Sequence, residues 1–212
     1  MAGERFVLQD GQTVVLIGDS ITDCGRRGEQ APTGNGYVRM VEGLAAAKYP
    51  ARRIRFVNAG ISGDTIAHLA ARWEHDVLAE RPDWLSVSIG VNDVWHRLEG
   101  KADGVPVDQF TAVYRELLER TRAKLSGCGL VLMTPGVIGE DPASEGNQAL
   151  APYVQAVGKL AGKFNGFCVD IHGAFLAAIQ VGAGRKWTTD GVHPNAAGHG
   201  LMALTWLKAL HW

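Results

Sequence analysis

A serine, a histidine and an aspartate that could work as one unit stand far apart in the chain. Ser20 follows Gly18-Asp19, and Asp190 and His193 share the string Asp190-Gly191-Val192-His193. A serine hydroxyl is a weak nucleophile at neutral pH until a base stands within hydrogen-bond reach. His193 is the natural base, because an unperturbed imidazole titrates near pH ~6.5. Asp190, three residues earlier, is close enough to accept from Nδ1–H and leave Nε2 for Ser20. Serine, aspartate, histidine is one of several chain orders in which this geometry arises. The rival reading is that Ser20 caps a helix and His193 merely precedes Pro194 in a turn.

Two further polar strings supply what acyl transfer also needs, which is preorganised donors for a developing oxyanion. They are Asn58-Ala59-Gly60-Ile61-Ser62-Gly63-Asp64-Thr65 and Gly90-Val91-Asn92-Asp93. The donors expected are the backbone N–H groups of Ser20 and Gly63 and the side-chain amide of Asn92. Glycine at 63 would let the main chain approach a substrate closely; a plain turn after a strand explains it equally well, and Asn92 could be a turn former beside Gly90. Asp93 reads as a loop bridge to the backbone. Trp95 and Trp187 lie three residues from Asn92 and Asp190 and could line the site, an indole face against a sugar ring. Asp19 joins them as a substrate-side candidate, although a hydrogen-bonding role within the turn suits it better than acid catalysis. Cys24 reads as a small buried filler. The other histidines lack metal-ligand spacing such as His-x-x-x-His, so no metal is expected.

Regular elements must bring these strings together. Short runs rich in β-branched and aromatic residues at 13–17, 54–57, 84–89, 130–133 and 167–171 read as buried strands. Segments of helical period lie between and after them, at 37–48, 66–79, 109–125, 149–164 and 195–210, the last with Asn195 as its cap. Such alternation predicts one three-layer α/β domain over residues 1–212, a parallel sheet with helices on both faces. Ligands of open α/β sheets sit beyond the carboxyl ends of the strands. Three of the four strings follow the first three strands, so they converge at one rim if those strands are neighbours. The polar stretches 26–35 and 136–147 are long enough to expect function from them.

Bulk properties narrow the class. The 212 residues carry a formal net charge of −1, which gives no global pull toward nucleic acid or anionic membrane. Arg26, Arg27, Arg52 and Arg53 read as solvated loop charges. Three cysteines, odd in number and without Cys-x-x-Cys spacing, indicate neither a disulfide framework nor a zinc knot. Met1–Arg5 does not resemble a secretory leader, and no apolar run approaches the roughly 18 residues of a membrane span. A cytoplasmic protein is expected.

The strings VVLIGDSIT, NAGISGDT, IGVND and DGVHPN resemble, in order, the four blocks of the SGNH (GDSL-type) hydrolase family, with Ile21 where its name expects leucine. The resemblance runs from about Val14 to Gly198. It carries the family's serine, glycine, asparagine and histidine to Ser20, Gly63, Asn92 and His193, and its triad acid to Asp190. It implies a flavodoxin-like sheet of five parallel strands and a serine esterase without metal or cofactor. GDSITDCGR, ARWEHDVLAERPDW and VHPNAAGH are similar to the subgroup of intracellular bacterial acetylxylan esterases, which implies a small acylated saccharide substrate and a homo-oligomer. A broad short-chain esterase, a thioesterase or a lysophospholipase fits the same blocks. A carbohydrate-binding protein with a decayed site is the reading from another class. The chain shows no long apolar lid, which favours a small acyl group.

Overall fold

The five apolar runs become strands: β1 (Thr13–Gly18), β2 (Arg55–Gly60), β3 (Trp84–Ser88), β4 (Gly129–Met133) and β5 (Phe167–Val169). All pair in parallel, in the order β2-β1-β3-β4-β5. The computed structural model describes residues 6–212, so the leader expectation for Met1–Arg5 lies outside the described residues.

Side chains alternate across the strands and both faces are covered, which is why the runs read as continuously apolar. Val15, Ile17, Leu85, Val87, Leu130 and Leu132 point to one face, against α3 (Ile66–Trp73), α5 (Val107–Lys124) and α6 (Glu145–Lys163). Val14, Leu16, Val131 and Met133 point to the other, against α2 (Tyr37–Lys48), α7 (Ile171–Val181) and α8 (Ala196–Ala209). Ser86 is a polar exception on that second face, satisfied by Trp206 Nε1–H at 3.0 Å. The expected three-layer α/β sandwich with a five-stranded parallel sheet is the fold observed.

Several expectations are corrected. The fifth strand stops at Val169, because the Asp170 carboxylate accepts from Gly173 N at 3.0 Å and caps α7. That helix is apolar nearly all round and shows no amphipathic stripe in the sequence. The 66–79 segment is α-helical to Trp73 and then passes through a π-helical turn, Glu74–Leu78. Asn92 lies not in a loop but in a short helix, α4 (Val91–Leu98), that starts directly after β3. Arg52 is half-buried, with its guanidinium 4.3 Å from the Tyr49 ring, and Arg26 Nε donates to Gly60 O at 2.6 Å.

For the site, the decisive feature is the position of β1. Gly18 at its end pairs with Gly60 of β2 and Ser88 of β3. The segments that follow these three strands therefore leave the sheet side by side.

Candidate active site

Ser20 opens a single helical turn, α1 (Ser20–Asp23), immediately after β1. Asp19 is extended, and its Oδ1 accepts from Ile21 N at 3.0 Å, so the turn is capped by the residue before the serine. Asp19 is only 2% exposed, which removes it from the substrate side. Its role is the turn-holding one. Burial pushes its pKa up to about 7, against the Ile21 N–H and the nearby His193, with the Asp64 carboxylate adding to the rise.

The acid–base pair stands on the turn between α7 and α8. Ser20 Oγ lies 2.9 Å from His193 Nε2, and His193 Nδ1 lies 2.7 Å from Asp190 Oδ2. Asp190 Oδ1 accepts from the N–H groups of Val192 at 3.0 Å and His193 at 2.8 Å. Burial acts to raise the Asp190 pKa, but these N–H donors and the His193 ring outweigh it and hold the carboxyl below its usual range. The turn is closed by Thr189 N to His193 O at 2.8 Å and Asn195 N to Trp187 O at 3.0 Å. Asn195 caps α8 as expected, through Ala197 N and Gly198 N.

Stretch 136–147 braces this turn, through a residue that the sequence did not single out. Glu140 Oε1 accepts from Trp187 N at 2.8 Å, Thr188 N at 2.6 Å and Thr188 Oγ1 at 2.5 Å. Gly139 N adds a bond to Gly191 O at 2.8 Å. A glutamate in a polar loop carries no local mark of such a role, because its partners stand more than forty residues away.

The expected oxyanion donors Gly63 and Asn92 stand on the segments that follow β2 and β3, beside the one that follows β1 and bears Ser20. Gly63 has φ +87°, and a Cβ there would meet nothing within 4 Å, so it faces open space. Among the described residues, neither the Ser20 nor the Gly63 N–H donates to a protein acceptor. Asn92 Nδ2 donates to Asp64 O at 3.0 Å, which uses one of its two hydrogens and ties α4 to the Gly63 segment. Asp93 is fully buried and receives Ile66 N at 3.0 Å, the backbone bridge expected of it. Arg72, also unmarked in the sequence, holds the arrangement from below. It binds Asp64 Oδ2 at 2.7 Å, Ala59 O at 2.7 Å and Gly18 O at 3.1 Å, joining the ends of β1 and β2 to the Gly63 segment.

The two tryptophans part company. The Trp95 ring stands edge-on to His193 with centroids 5.9 Å apart. Trp187 is half-buried with its indole turned toward the end of α7, where a Cβ on Gly182 would come within 3.1 Å of Nε1. Cys24 is no buried filler. It is the half-buried, left-handed C-cap of α1. Together these groups can strip a proton from a hydroxyl, deliver it to a leaving group, and present N–H donors to a carbonyl oxygen in between. A groove of about 550 Å³ between α5 and α6 is lined by none of them.

Residues 16–201 match the GDSL-like lipase/acylhydrolase family. An acetylxylan esterase of Geobacillus stearothermophilus is 38% identical over 208 residues, with 94% of each chain covered. A multidomain esterase of Ruminococcus flavefaciens is 27% identical over 172 residues, which are 72% of this chain and 20% of that one. The crystal structure of the Geobacillus esterase superposes with a TM-score of 0.88 at 38% identity, over 96% of each chain. Catalytic mutants of that enzyme, in which a serine, an aspartate or a histidine is replaced by alanine, superpose with TM-scores of 0.88, 0.89 and 0.88.

Proposed function

Because the chain belongs to the GDSL-like lipase/acylhydrolase family, whose chemistry is carboxylic ester hydrolysis, we propose that it is a serine esterase that removes acetyl groups from short xylose-based oligosaccharides. The observation that carries this reading is the continuous chain from Ser20 Oγ through His193 to Asp190, at 2.9 and 2.7 Å.

In this mechanism Ser20 Oγ attacks the ester carbonyl as its proton passes to His193 Nε2. Asp190 fixes the ring by accepting Nδ1–H and stabilises the imidazolium that forms. The carbonyl oxygen, now negative, meets the N–H groups of Ser20 and Gly63 and the free hydrogen of Asn92 Nδ2. Collapse of the tetrahedral intermediate expels the sugar oxygen, which takes the proton from His193 and leaves an acetyl ester on Ser20. His193 then draws a proton from water, whose oxygen attacks that ester. Acetate departs and Ser20 Oγ recovers its proton.

The acetyl-sugar part of the reading is supported by the Geobacillus relative. The open surroundings of Gly63 and the Trp95 ring beside His193 suit a small acyl group on a ring-shaped alcohol. A cytoplasmic location and a homo-oligomer belong to the same proposal. Among the described residues no helix is long and apolar enough to cross a membrane.

The test is acetate release from acetylated xylo-oligosaccharides, beside p-nitrophenyl acetate and octanoate, by the wild type and Ser20→Ala. Rapid release from the saccharides, lost in Ser20→Ala, is the expected result. Turnover of the nitrophenyl esters alone would discard the sugar, and turnover undiminished in Ser20→Ala would discard the mechanism.

A further inference from the structure

Beside the turn that bears the serine stands a second histidine, this one buried, which the mechanism above leaves unused. His199 sits in the first turn of α8, six residues beyond His193, and is 8% exposed. Its Nδ1 accepts from Tyr37 N at 3.2 Å. Tyr37 is the first residue of α2, whose N-cap, Gly36, has no side chain to satisfy an N–H there. The imidazole thus caps α2 from a different helix. On its other side, His199 Nε2 lies 3.4 Å from Cys24 Sγ, and Sγ lies 3.3 Å from Ile21 O. Tyr37 reaches the same turn again, with its hydroxyl 3.2 Å from Thr22 Oγ1.

The acceptor role of Nδ1 fixes the tautomer. A neutral ring that receives Tyr37 N–H at Nδ1 carries its proton on Nε2. Nε2–H therefore donates to the Cys24 sulfur, and the thiol hydrogen passes on to Ile21 O within the Ser20 turn. Burial, with His193 nearby, lowers the His199 pKa to about 4, so the ring stays neutral through the working range. Burial also pushes the Cys24 thiol up to about 12, so this sulfur is a relay for a hydrogen bond and not a nucleophile. Space for the junction depends on Gly36, where a Cβ would come within 2.5 Å of Cys24 Sγ and 3.0 Å of His199 Cε1.

We propose that His199 is a positioning residue for the nucleophile: through Cys24 and the start of α2 it locks the turn bearing Ser20 to α8, the helix that follows His193. Only two covalently distant segments meet at the Ser20–His193 bond, and this second bridge sets their spacing. A shift of about 1 Å between reacting groups can lower a rate by up to ~10²-fold.

The proposal rests on the serine mechanism, and the experiment separates the two. Active sites are counted by burst titration with p-nitrophenyl acetate and by stoichiometric phosphonate labelling of Ser20. Then kcat per titrated site and KM are measured for His199→Phe, Cys24→Ala, Cys24→Ser and the His199→Phe/Cys24→Ala double variant. Cys24→Ala and His199→Phe should each lower kcat per site roughly tenfold or more, with KM within about twofold. Cys24→Ser, whose hydroxyl accepts and donates along the same line, should recover most of the loss. The double variant should be no worse than His199→Phe alone. Unchanged kcat per site in Cys24→Ala overturns the proposal, even where His199→Phe fails to fold. A thermal shift without a kcat loss overturns it too, because that is what a purely structural contact gives. Failure of the wild type to label at Ser20 would instead remove the mechanism beneath it.

Discussion

Asp190 gives one carboxylate oxygen to the ring of His193 and the other to its backbone: Oδ2 meets Nδ1 at 2.7 Å and Oδ1 meets the main-chain N–H at 2.8 Å. One side chain thus fixes both the place of the histidine and the tautomer of its ring. The two tasks are separable by substitution.

Asp190→Asn is expected to keep the first task and lose the second. Its amide oxygen can still accept from the N–H groups of Val192 and His193, so the turn persists. Its NH₂ toward Nδ1 makes that nitrogen an acceptor, which puts the ring proton on Nε2 and blocks proton transfer from Ser20. A fall in kcat of roughly 10³–10⁴ follows, with thermal stability almost unchanged. Steady-state kinetics beside a melting curve checks it, and a kcat within tenfold of wild type would mean that Asp190 is not the orienting acid.

Asn92→Ala should act on the other side of the reacting carbon. Removing one oxyanion donor lowers kcat by roughly 10²–10³ with little change in KM. The same substitution strips Asp64 O of its partner at 3.0 Å in a buried setting. A stability loss of about 1–3 kcal/mol should accompany the kinetic effect. Single-turnover acylation by p-nitrophenyl acetate reads the first and denaturant unfolding the second. A large loss of stability with normal acylation would leave Asn92 as scaffold only.

How much of this could be read in the sequence follows from where each residue finds its partners. Ser20, Gly63 and Asn92 were legible because each directly follows a strand whose two faces are buried, and buried strands announce themselves as apolar runs. Asp190 and His193 were legible because they sit three residues apart. Glu140, Arg72 and His199 were not, since each has partners far away in sequence that only folding brings near: Trp187 N for Glu140, Gly18 O for Arg72 and Tyr37 N for His199. Helix α7 was hidden by having no polar side to contrast with its apolar one. Nearness to Asp190 in sequence says nothing of which way an indole turns, and that of Trp187 turns toward Gly182.

Glu140→Ala should loosen the Asp190–His193 turn from outside. Three donors converge on one Glu140 oxygen, and hydrogen bonds to a charged acceptor contribute about 1.5–3 kcal/mol each in mutational terms. Because these bonds are cooperative rather than additive, a total loss of about 2–4 kcal/mol is expected. Burial acts to raise the Glu140 pKa, but the Thr188 hydroxyl, the Trp187 and Thr188 N–H groups and Lys186 outweigh it, so its folded value lies below the unfolded one. Its stabilisation is therefore present above the unfolded value, near pH ~4.3, and is lost as pH falls through the folded one. Urea unfolding of wild type and Glu140→Gln should differ at pH 7 and converge toward pH 3. Curves that stay equally far apart would show that charge is not what holds the turn.

Asp93 predicts the opposite pH behaviour. Burial pushes its pKa up to about 7, opposed by the Ile66 N–H and reinforced by the Asp19 carboxylate. The folded protein therefore keeps this proton up to about pH 7, whereas an unfolded chain releases it near pH ~3.9. Between those values the native state binds more protons, so stability falls as pH rises. Asp93→Asn keeps an oxygen for Ile66 N and has no proton to lose. Its stability should match wild type near pH 4 and exceed it at pH 8 by at least ~1 kcal/mol, about 2–4 °C in a domain of this size. Asp19, with its pKa also raised to about 7, remains in the variant, so the slope should be reduced rather than abolished. Calorimetry of both proteins from pH 4 to 8 decides the matter: parallel curves would show that Asp93 ionises in the folded protein as easily as in the unfolded chain.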